Sequence, residues 1–388
     1  MVRAESPGAS ALCDTLTPTG QNALGSANMG QRLGCAGVGE TRRRPGERTD
    51  RMSPMMKSLI IPESRKMALV ERPRPEPKGD ELVIRLAASG ICGTDVHIFD
   101  GGFTATYPVV PGHEFAGEVT AVGPDCARFA PGARVAVEPN IPCNNCPECL
   151  RGDHHFCRNM AVPGVNRPGG MAEYVVVNER SAFDIGDLPF VEGALVEPLS
   201  CVVHAVERLG VGLADHVLVM GAGPIGVMMG RMIKARGAGR VDYLERNPVR
   251  AARAAALGLG AVYASPSEID DRVYDSVADA TGVSGLVAEA ACRLARPRGR
   301  VLIFGVPHMG SKVVLEHFPV FRQEISLIAS FTSLKNSMQA VDLMRSKTIR
   351  VDDIVSHQIK LSECPEYIRR MEAGDGDLGK VTVTDFAH

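Results

Sequence analysis

A chain of 388 residues exceeds what one hydrophobic core usually organises, so two domains are expected. Apolar residues make up 45% and charged residues 23%, as in folded globular chains, and a net charge of −2 without a long basic block excludes a nucleic-acid or anionic-membrane partner. No run approaches the roughly 20 apolar residues that span a bilayer and no signal-peptide core stands at the start, so a soluble cytoplasmic protein acting on small molecules is expected.

Residues 1–54 are rich in Gly, Ser, Thr, Pro and Arg with no apolar period, and are expected to be a disordered extension. The run Thr41-Arg42-Arg43-Arg44-Pro45 reads as part of a solvated tail, or of an extension ahead of a start at Met55 or Met56, rather than as a targeting signal. From about 55 to 200, short strands (Leu82–Ala87, Phe115–Val122, Ala133–Val137, Met171–Val177) between Pro/Gly-rich loops describe a β-rich domain interrupted by a cysteine cluster. From about 205 to 330 the pattern alternates: a strand at Val217–Met220, a helix after Pro224, a strand at Val241–Glu245, a helix opened by Asn247 and Pro248, then strands at Arg300–Phe304 and Ser326–Ala329. That alternation implies a doubly wound parallel α/β sheet. The tail from about 345 ends in an alternating strand, Lys380–Thr384, able to return to the first domain.

Strand Val217–Met220 runs into Gly221-Ala222-Gly223-Pro224-Ile225-Gly226 and then a helix, the setting in which G-x-G-x-x-G binds a dinucleotide pyrophosphate. Glu245, nineteen residues beyond Gly226, can accept the ribose hydroxyls and repel a 2′-phosphate, favouring NAD over NADP. Arg246 complicates this, since it could receive that phosphate.

Eleven cysteines without an export signal do not suggest a disulfide framework. Cys143, Cys146, Cys149 and Cys157 supply four thiolates on one loop, a closed structural zinc site. His154 and His155 inside that lobe read as surface residues, because the cysteines already satisfy the metal. Cys92, the pair His113-Glu114, and Glu197 form a mixed set suited to a catalytic zinc, which needs an open position for substrate. Two zinc ions per chain are therefore expected.

With these motifs in order over residues 56–388, the chain resembles the zinc-containing medium-chain dehydrogenase/reductase superfamily, in its sorbitol (polyol) and threonine dehydrogenase branch. The resemblance implies a GroES-like catalytic domain with a structural-zinc lobe over 55–204, a Rossmann domain over 205–344, and a return to the catalytic domain over 345–388. It makes Cys92 and His113 zinc ligands, Glu114 a carboxylate that binds or closely approaches the metal, and Glu197 the remaining ligand, direct or through water. Asp95 orients His113, Thr94 takes the substrate proton, and His97 continues a relay to solvent. Ile225, Glu245 and Arg250 match cofactor-contacting positions, as do Phe304, Gly305 and Val306, and Ser330, Phe331 and Thr332. Glu197 followed by Pro198 resembles the polyol branch rather than alcohol dehydrogenases with cysteine there, and Cys201 nearby reads as a core thiol. Gly164-Val165-Asn166-Arg167-Pro168-Gly169 and the Cys92–His97 stretch resemble threonine dehydrogenase, whereas the Arg-Tyr pair that animal sorbitol dehydrogenases present to substrate appears as Thr332-Ser333. A homodimer or homotetramer is also implied.

The expected activity is hydride transfer between NAD and a secondary alcohol that is a polyol, cyclitol or aminocyclitol-like compound. The alternatives are L-threonine or 2,3-butanediol as substrate and, in a different class, a catalytically silent cofactor-binding regulator. The intact ligand and relay residues speak against the silent protein.

Overall fold

Runs of β-branched and apolar residues, largely buried, drive much of residues 55–184 into strands. In the computed structural model, which describes residues 54–387, β1 (Met55–Ile60) and β2 (Ala68–Pro73) form an antiparallel hairpin. Nearly all of the extension expected over residues 1–54 lies outside the described residues. Next, β3 (Glu81–Gly90) pairs antiparallel with β4 (Glu114–Val122), which pairs with β5 (Arg134–Val137). β6 (Tyr174–Asn178) covers the other edge of β3, and β7 (Ala182–Asp184) extends the sheet beyond β5. The strand expected from Met171 begins only at Tyr174, because the Met171 amide turns to the Pro111 carbonyl and its own carbonyl to the Leu59 amide, both at 2.9 Å.

The second sheet contains β8 (His216–Met220), β9 (Arg240–Leu244), β10 (Val262–Tyr263), β11 (Tyr274–Asp279), β12 (Ala295–Ile303) and β13 (Ser326–Ala329), all parallel, in the order β10-β9-β8-β11-β12-β13. Val217 through Met220 are fully buried, as strands covered by helices on both faces must be. Progression along the sheet reverses between β8 and β11, and the crevice at the carboxyl ends there is where such folds take a dinucleotide. Asn247 caps the helix Pro248–Ala256 as expected, its Oδ1 accepting the Val249 and Arg250 amides at 3.0 Å. Finally β14 (Val355–Lys360) and β15 (Lys380–Asp385) pair in parallel, and β15 joins β3, so the chain's end completes the first sheet.

One helix, Val196–Leu209, packs against β4 and β5 of the first sheet and β12 and β13 of the second. Its Val196, Leu199, Val202, Val203, Ala205, Val206 and Leu209 are all fully buried. At about 1.5–3 kcal/mol for each large aliphatic side chain, it is the main apolar pillar shared by the two sheets.

The amino ends of the parallel strands are fastened by Asp242, buried on β9. It accepts hydrogen bonds from Arg240 Nε and the Ala261 amide on one oxygen, both at 2.7 Å, and on the other from Tyr274 of β11 at 3.1 Å, with His216 Nε2 of β8 at 2.7 Å from that oxygen. Burial alone would raise this carboxyl, but His216 and Arg240 outweigh it and hold it below its ordinary value. Asp242→Ala is expected to cost about 3–5 kcal/mol in urea unfolding at pH 7, as for other broken buried pairs. Because the folded value is the depressed one, that contribution is present above the unfolded carboxyl value, about 3.9, and is lost as pH falls through the folded value. The gap between wild type and variant should therefore close in acid; a gap that stays constant below pH 4 would show that the carboxylate's charge is not what matters.

Candidate active site

β3 and β4 run antiparallel with Gly90 opposite Glu114, so the residues that leave the end of β3 lie beside those that enter β4. Cys92 is the N-cap of the helix Gly93–Asp100, and the ligand atoms of Cys92, His113 and Glu114 come within 4.8 Å of one another. Asp95, in the first turn of that helix, is fully buried and accepts the Cys92 amide and the Gly112 amide, each at 2.9 Å. Its Oδ1 stands 3.6 Å from His113 Nδ1. Burial would raise Asp95, but the facing imidazole and the two amides outweigh it and hold the carboxylate below its usual range. Burial likewise opposes charge on His113, and Asp95 and Cys92 overcome it, raising the imidazole well above its ordinary value.

Glu197, at the start of the helix Val196–Leu209, is buried but falls outside the three-residue donor group. Burial holds its carboxyl above the usual range, reinforced by Glu114 and Glu138 against the opposing pull of His113 and Lys380. Cys201, one turn on, is half-buried rather than a core thiol, its Sγ 3.4 Å from Glu197 Oε1. Thr94 and His97 share one side of the helix Gly93–Asp100, both half-buried, with His97 Nδ1 3.6 Å from Asp100. Among the described residues a second donor group is formed by Cys143, Cys146, Cys149 and Cys157. Backbone amides of Asn145 and Cys146 pull the Cys143 thiol down to about 6, whereas burial pushes Cys149 up to about 12. The described cysteines are all free of disulfides.

At the carboxyl ends of the parallel strands, Gly221 follows β8 with φ +93°, and a Cβ on Gly226 would collide with the Gly221 carbonyl. Gly223, the N-cap of the helix Pro224–Ala235, has open space where a Cβ would stand, and Ile225 packs on the core. Glu245 follows β9 and is buried: its oxygens accept the Ala222 and Asn247 amides at 2.9 and 2.8 Å, and Arg250 Nε lies 3.3 Å away. Phe304 and Gly305 donate their amides to the Asp279 carbonyl at 3.2 and 2.9 Å, leaving Val306 exposed. The Ser330 amide bonds Ile303, Phe331 is half exposed, and Thr332 takes φ +50°, a strained setting for a β-branched residue.

Three groups escaped the sequence reading. Lys380, on β15, forms a buried ion pair with Glu114. Glu138, after β5, is buried and accepts Ser333 and Ser337 hydroxyls at 2.6 and 2.7 Å on one oxygen and Asn140 Nδ2 at 2.6 Å on the other. Ser333 is thus turned into the protein and not offered to a substrate. Third, His154 and His155 are not surface residues: each has a buried Nδ1, and His155 packs edge-on against His204. Only residues distant in sequence reveal these contacts. The Gly164–Gly169 loop has a packing cause, since a Cβ at either glycine would strike the Gly112 carbonyl beside His113.

The profile of the alcohol dehydrogenase GroES-like domain matches residues 78–187, and that of the zinc-binding dehydrogenase domain matches residues 224–346. The chain is 35% identical over 315 residues to the D-altritol 5-dehydrogenase of Agrobacterium fabrum, covering 79% of this chain and 94% of that one. It is 30% identical over 349 residues to the L-threonine 3-dehydrogenase of Rhizobium rhizogenes, covering 86% of this chain and all of that one. The crystal structure of a zinc-binding dehydrogenase from Sinorhizobium meliloti bound to NADP matches with a TM-score of 0.79 and 34% identity, over 86% of this chain and all of that chain.

Burial alone would lower Lys380, and Glu114 and Cys92 more than offset it, so the ammonium is held charged above its ordinary value. Lys380→Met should strand the Glu114 carboxylate and cost about 3–5 kcal/mol in chelator-treated protein, while Lys380→Arg should cost much less. Equal unfolding midpoints for wild type and Lys380→Met would show that Glu114 does not depend on this partner.

Proposed function

This chain belongs to the zinc-dependent medium-chain alcohol dehydrogenase family, in its polyol and threonine branch, and on that premise we propose that it oxidises a secondary hydroxyl of a polyol-like substrate with NAD. The observation that carries the reading is the Cys92, His113 and Glu114 donor group, found in a chain that also holds the glycine turn Gly221–Gly226 at the start of the helix Pro224–Ala235. The donors fit a zinc ion: one soft and two harder ligands leave a position open, Asp95 adds negative charge behind His113, and Glu197 is the further carboxyl that would complete the set directly or through water. Four thiols at Cys143, Cys146, Cys149 and Cys157 fit a second, structural ion with no open position.

When bound, zinc supplies Lewis acidity that makes a hydroxyl acidic enough to release its proton, and NAD supplies the hydride acceptor. The chain's own part begins with Asp95, which fixes the Cys92 and Gly112 backbones and the orientation of His113. Thr94 receives the substrate proton at its hydroxyl, and His97, one turn along the same helix, passes it outward. Gly221, Gly223 and Gly226 admit the pyrophosphate at the start of the helix Pro224–Ala235. Phe304–Val306 and Ser330–Thr332 line the nicotinamide end of the same crevice.

NAD is preferred over NADP because Glu245 puts a buried carboxylate where a 2′-phosphate would come, although Arg246 and Arg250 stand near. The polyol reading gains over threonine because Glu197-Pro198 follows the polyol branch and the loop Gly164–Gly169, one of two stretches shared with threonine dehydrogenases, is accounted for by its packing on Gly112. A silent regulator would have no use for the relay on the Gly93–Asp100 helix. The protein works as a cytoplasmic homo-oligomer in this reading: β13 is an edge strand that exposes Leu327, and the helix before it exposes Phe318 and Phe321. Among the described residues no helix is long and apolar enough to cross a membrane.

Separable roles make the site testable. Cys92→Ser and His113→Ala should leave about half the wild-type zinc and abolish oxidation, whereas Cys149→Ser should lower stability first. Thr94→Val should keep full zinc and lose roughly 10²–10⁴-fold in rate. Zinc counting beside single-turnover rates reads both; near-normal turnover in Cys92→Ser, His113→Ala and Thr94→Val would refute this active site.

Glu245→Ser should raise the KM for NAD and reduce the ratio of kcat/KM for NAD to that for NADP. A wild type that already prefers NADP would overturn the assignment.

A further inference from the structure

Glu138 lies just past β5, its own amide donating to the Ser181 carbonyl at 2.8 Å, so its place is set by the first sheet. Four donors use its carboxylate. The Asn140 amide and Nδ2 reach Oε1 at 3.1 and 2.6 Å, and the Ser333 and Ser337 hydroxyls reach Oε2 at 2.6 and 2.7 Å. Both serines are buried and come from the segment that follows β13 of the second sheet. Between β13 and the helix Ser337–Arg345, Thr332 and Lys335 take φ of +50° and +60°, conformations that a residue with a Cβ keeps only where its surroundings over-determine it. Glu138 supplies that constraint at Ser333 and Ser337, and Glu207 of the helix Val196–Leu209 adds a bond from Asn336 Nδ2 at 3.1 Å.

The order of strands shows what this constraint serves. A dinucleotide with its ribose at Glu245, beyond β9, and its pyrophosphate at Gly221–Gly226, beyond β8, extends its other half over the carboxyl ends of β11, β12 and β13, the next strands in the sheet. Ser330–Thr332 is the chain leaving β13 at that edge. Ser330 Oγ and Thr332 Oγ1 are buried there without partners, and buried hydroxyls normally have them, so these two mark a place where a ligand's polar group completes the bonding. Glu138 grips Ser333, the neighbour of Thr332, and so fixes the backbone from which both hydroxyls are presented.

We infer that Glu138 is a positioning residue for the cofactor: through Ser333 and Ser337 it holds Ser330–Thr332 in the shape that receives the nicotinamide half, without touching the cofactor itself. This rests on the dehydrogenase reading above. Zinc-loaded full-length protein would be titrated calorimetrically with NADH and NADPH, and with ADP-ribose and 2′-phospho-ADP-ribose, which carry the adenosine and pyrophosphate but no nicotinamide. Glu138→Ala is expected to weaken binding of the reduced cofactor that the wild type prefers about tenfold, and to leave the affinity for that cofactor's nicotinamide-free fragment and the zinc content unchanged. Glu138→Gln should recover most of the loss, since its amide group can donate to both serine hydroxyls while its oxygen still accepts from Asn140. Ser333→Ala removes the bond nearest Thr332 and should show the same selective loss, which carries the test should Glu138→Ala fail to fold. Equal weakening of cofactor and fragment would reduce Glu138 to a structural role and overturn the inference, as would unchanged cofactor affinity in the folded variants; either result leaves the dehydrogenase reading standing. A zinc-replete wild type that binds neither reduced cofactor would overturn both.

Discussion

The buried carboxylate of Asp95 is the constraint on which the Cys92, His113 and Glu114 donor cluster depends. Cys92 belongs to the exit of β3 and His113 to the approach to β4, and the strand register brings the two segments side by side without fixing either loop. Asp95 fixes both, because one oxygen takes the Cys92 amide and the other the Gly112 amide, each at 2.9 Å, while His113 faces it. A fully buried carboxylate is tolerable only when its lone pairs are used in this way. The same bonds therefore solve a folding problem and set the donor geometry, and an amide side chain could not serve all of them with one acceptor oxygen.

Features carried by neighbouring residues were legible in the sequence. The Cys143–Cys157 lobe, the Gly221–Gly226 turn and the Asn247 cap each declare themselves within about fifteen residues, because metal ligation, a tight turn and helix capping are local demands on residue type. The central strand β11 was not legible: Tyr-Asp-Ser-Val-Ala-Asp reads as polar, yet Asp275 serves the His216 amide and Arg296, and Asp279 serves Thr281 and Gly282. Its acidic residues are bonded at the strand's edges while Val277 and Ala278 are fully buried. Pairings such as Lys380 with Glu114, or Glu138 with Ser333 and Ser337, join residues more than 190 positions apart, and no periodicity encodes that.

Charge inside the molecule is concentrated around the pillar helix Val196–Leu209. Glu197 on that helix, Glu114 on β4 and Glu138 beyond β5 converge from three elements, and Lys380 is the nearby buried cation, brought by the last strand. Lys380 already answers Glu114, and burial holds the Glu197 carboxyl above its usual range, so a bound cation is what would draw Glu197 to its charged form. That dependence is legible without any motif, and it agrees with the donor chemistry of Cys92, His113 and Glu114.

The contacts that join the two sheets' halves are of unequal strength, and this decides where the cleft can yield. At the pillar, fully buried aliphatic side chains and the Glu138 bonds resist separation. At the rim, Phe156 meets Phe331 and His97 meets His308, and three of these four are exposed. Aromatic contacts at exposed positions bury little surface and open at low cost. The rim is thus the weaker of the two joints and the pillar the stronger. His97 on the helix Gly93–Asp100 and His308 beyond the Phe304–Val306 segment meet at that weaker joint, so a separation of the two sheets would part them before it disturbed the pillar.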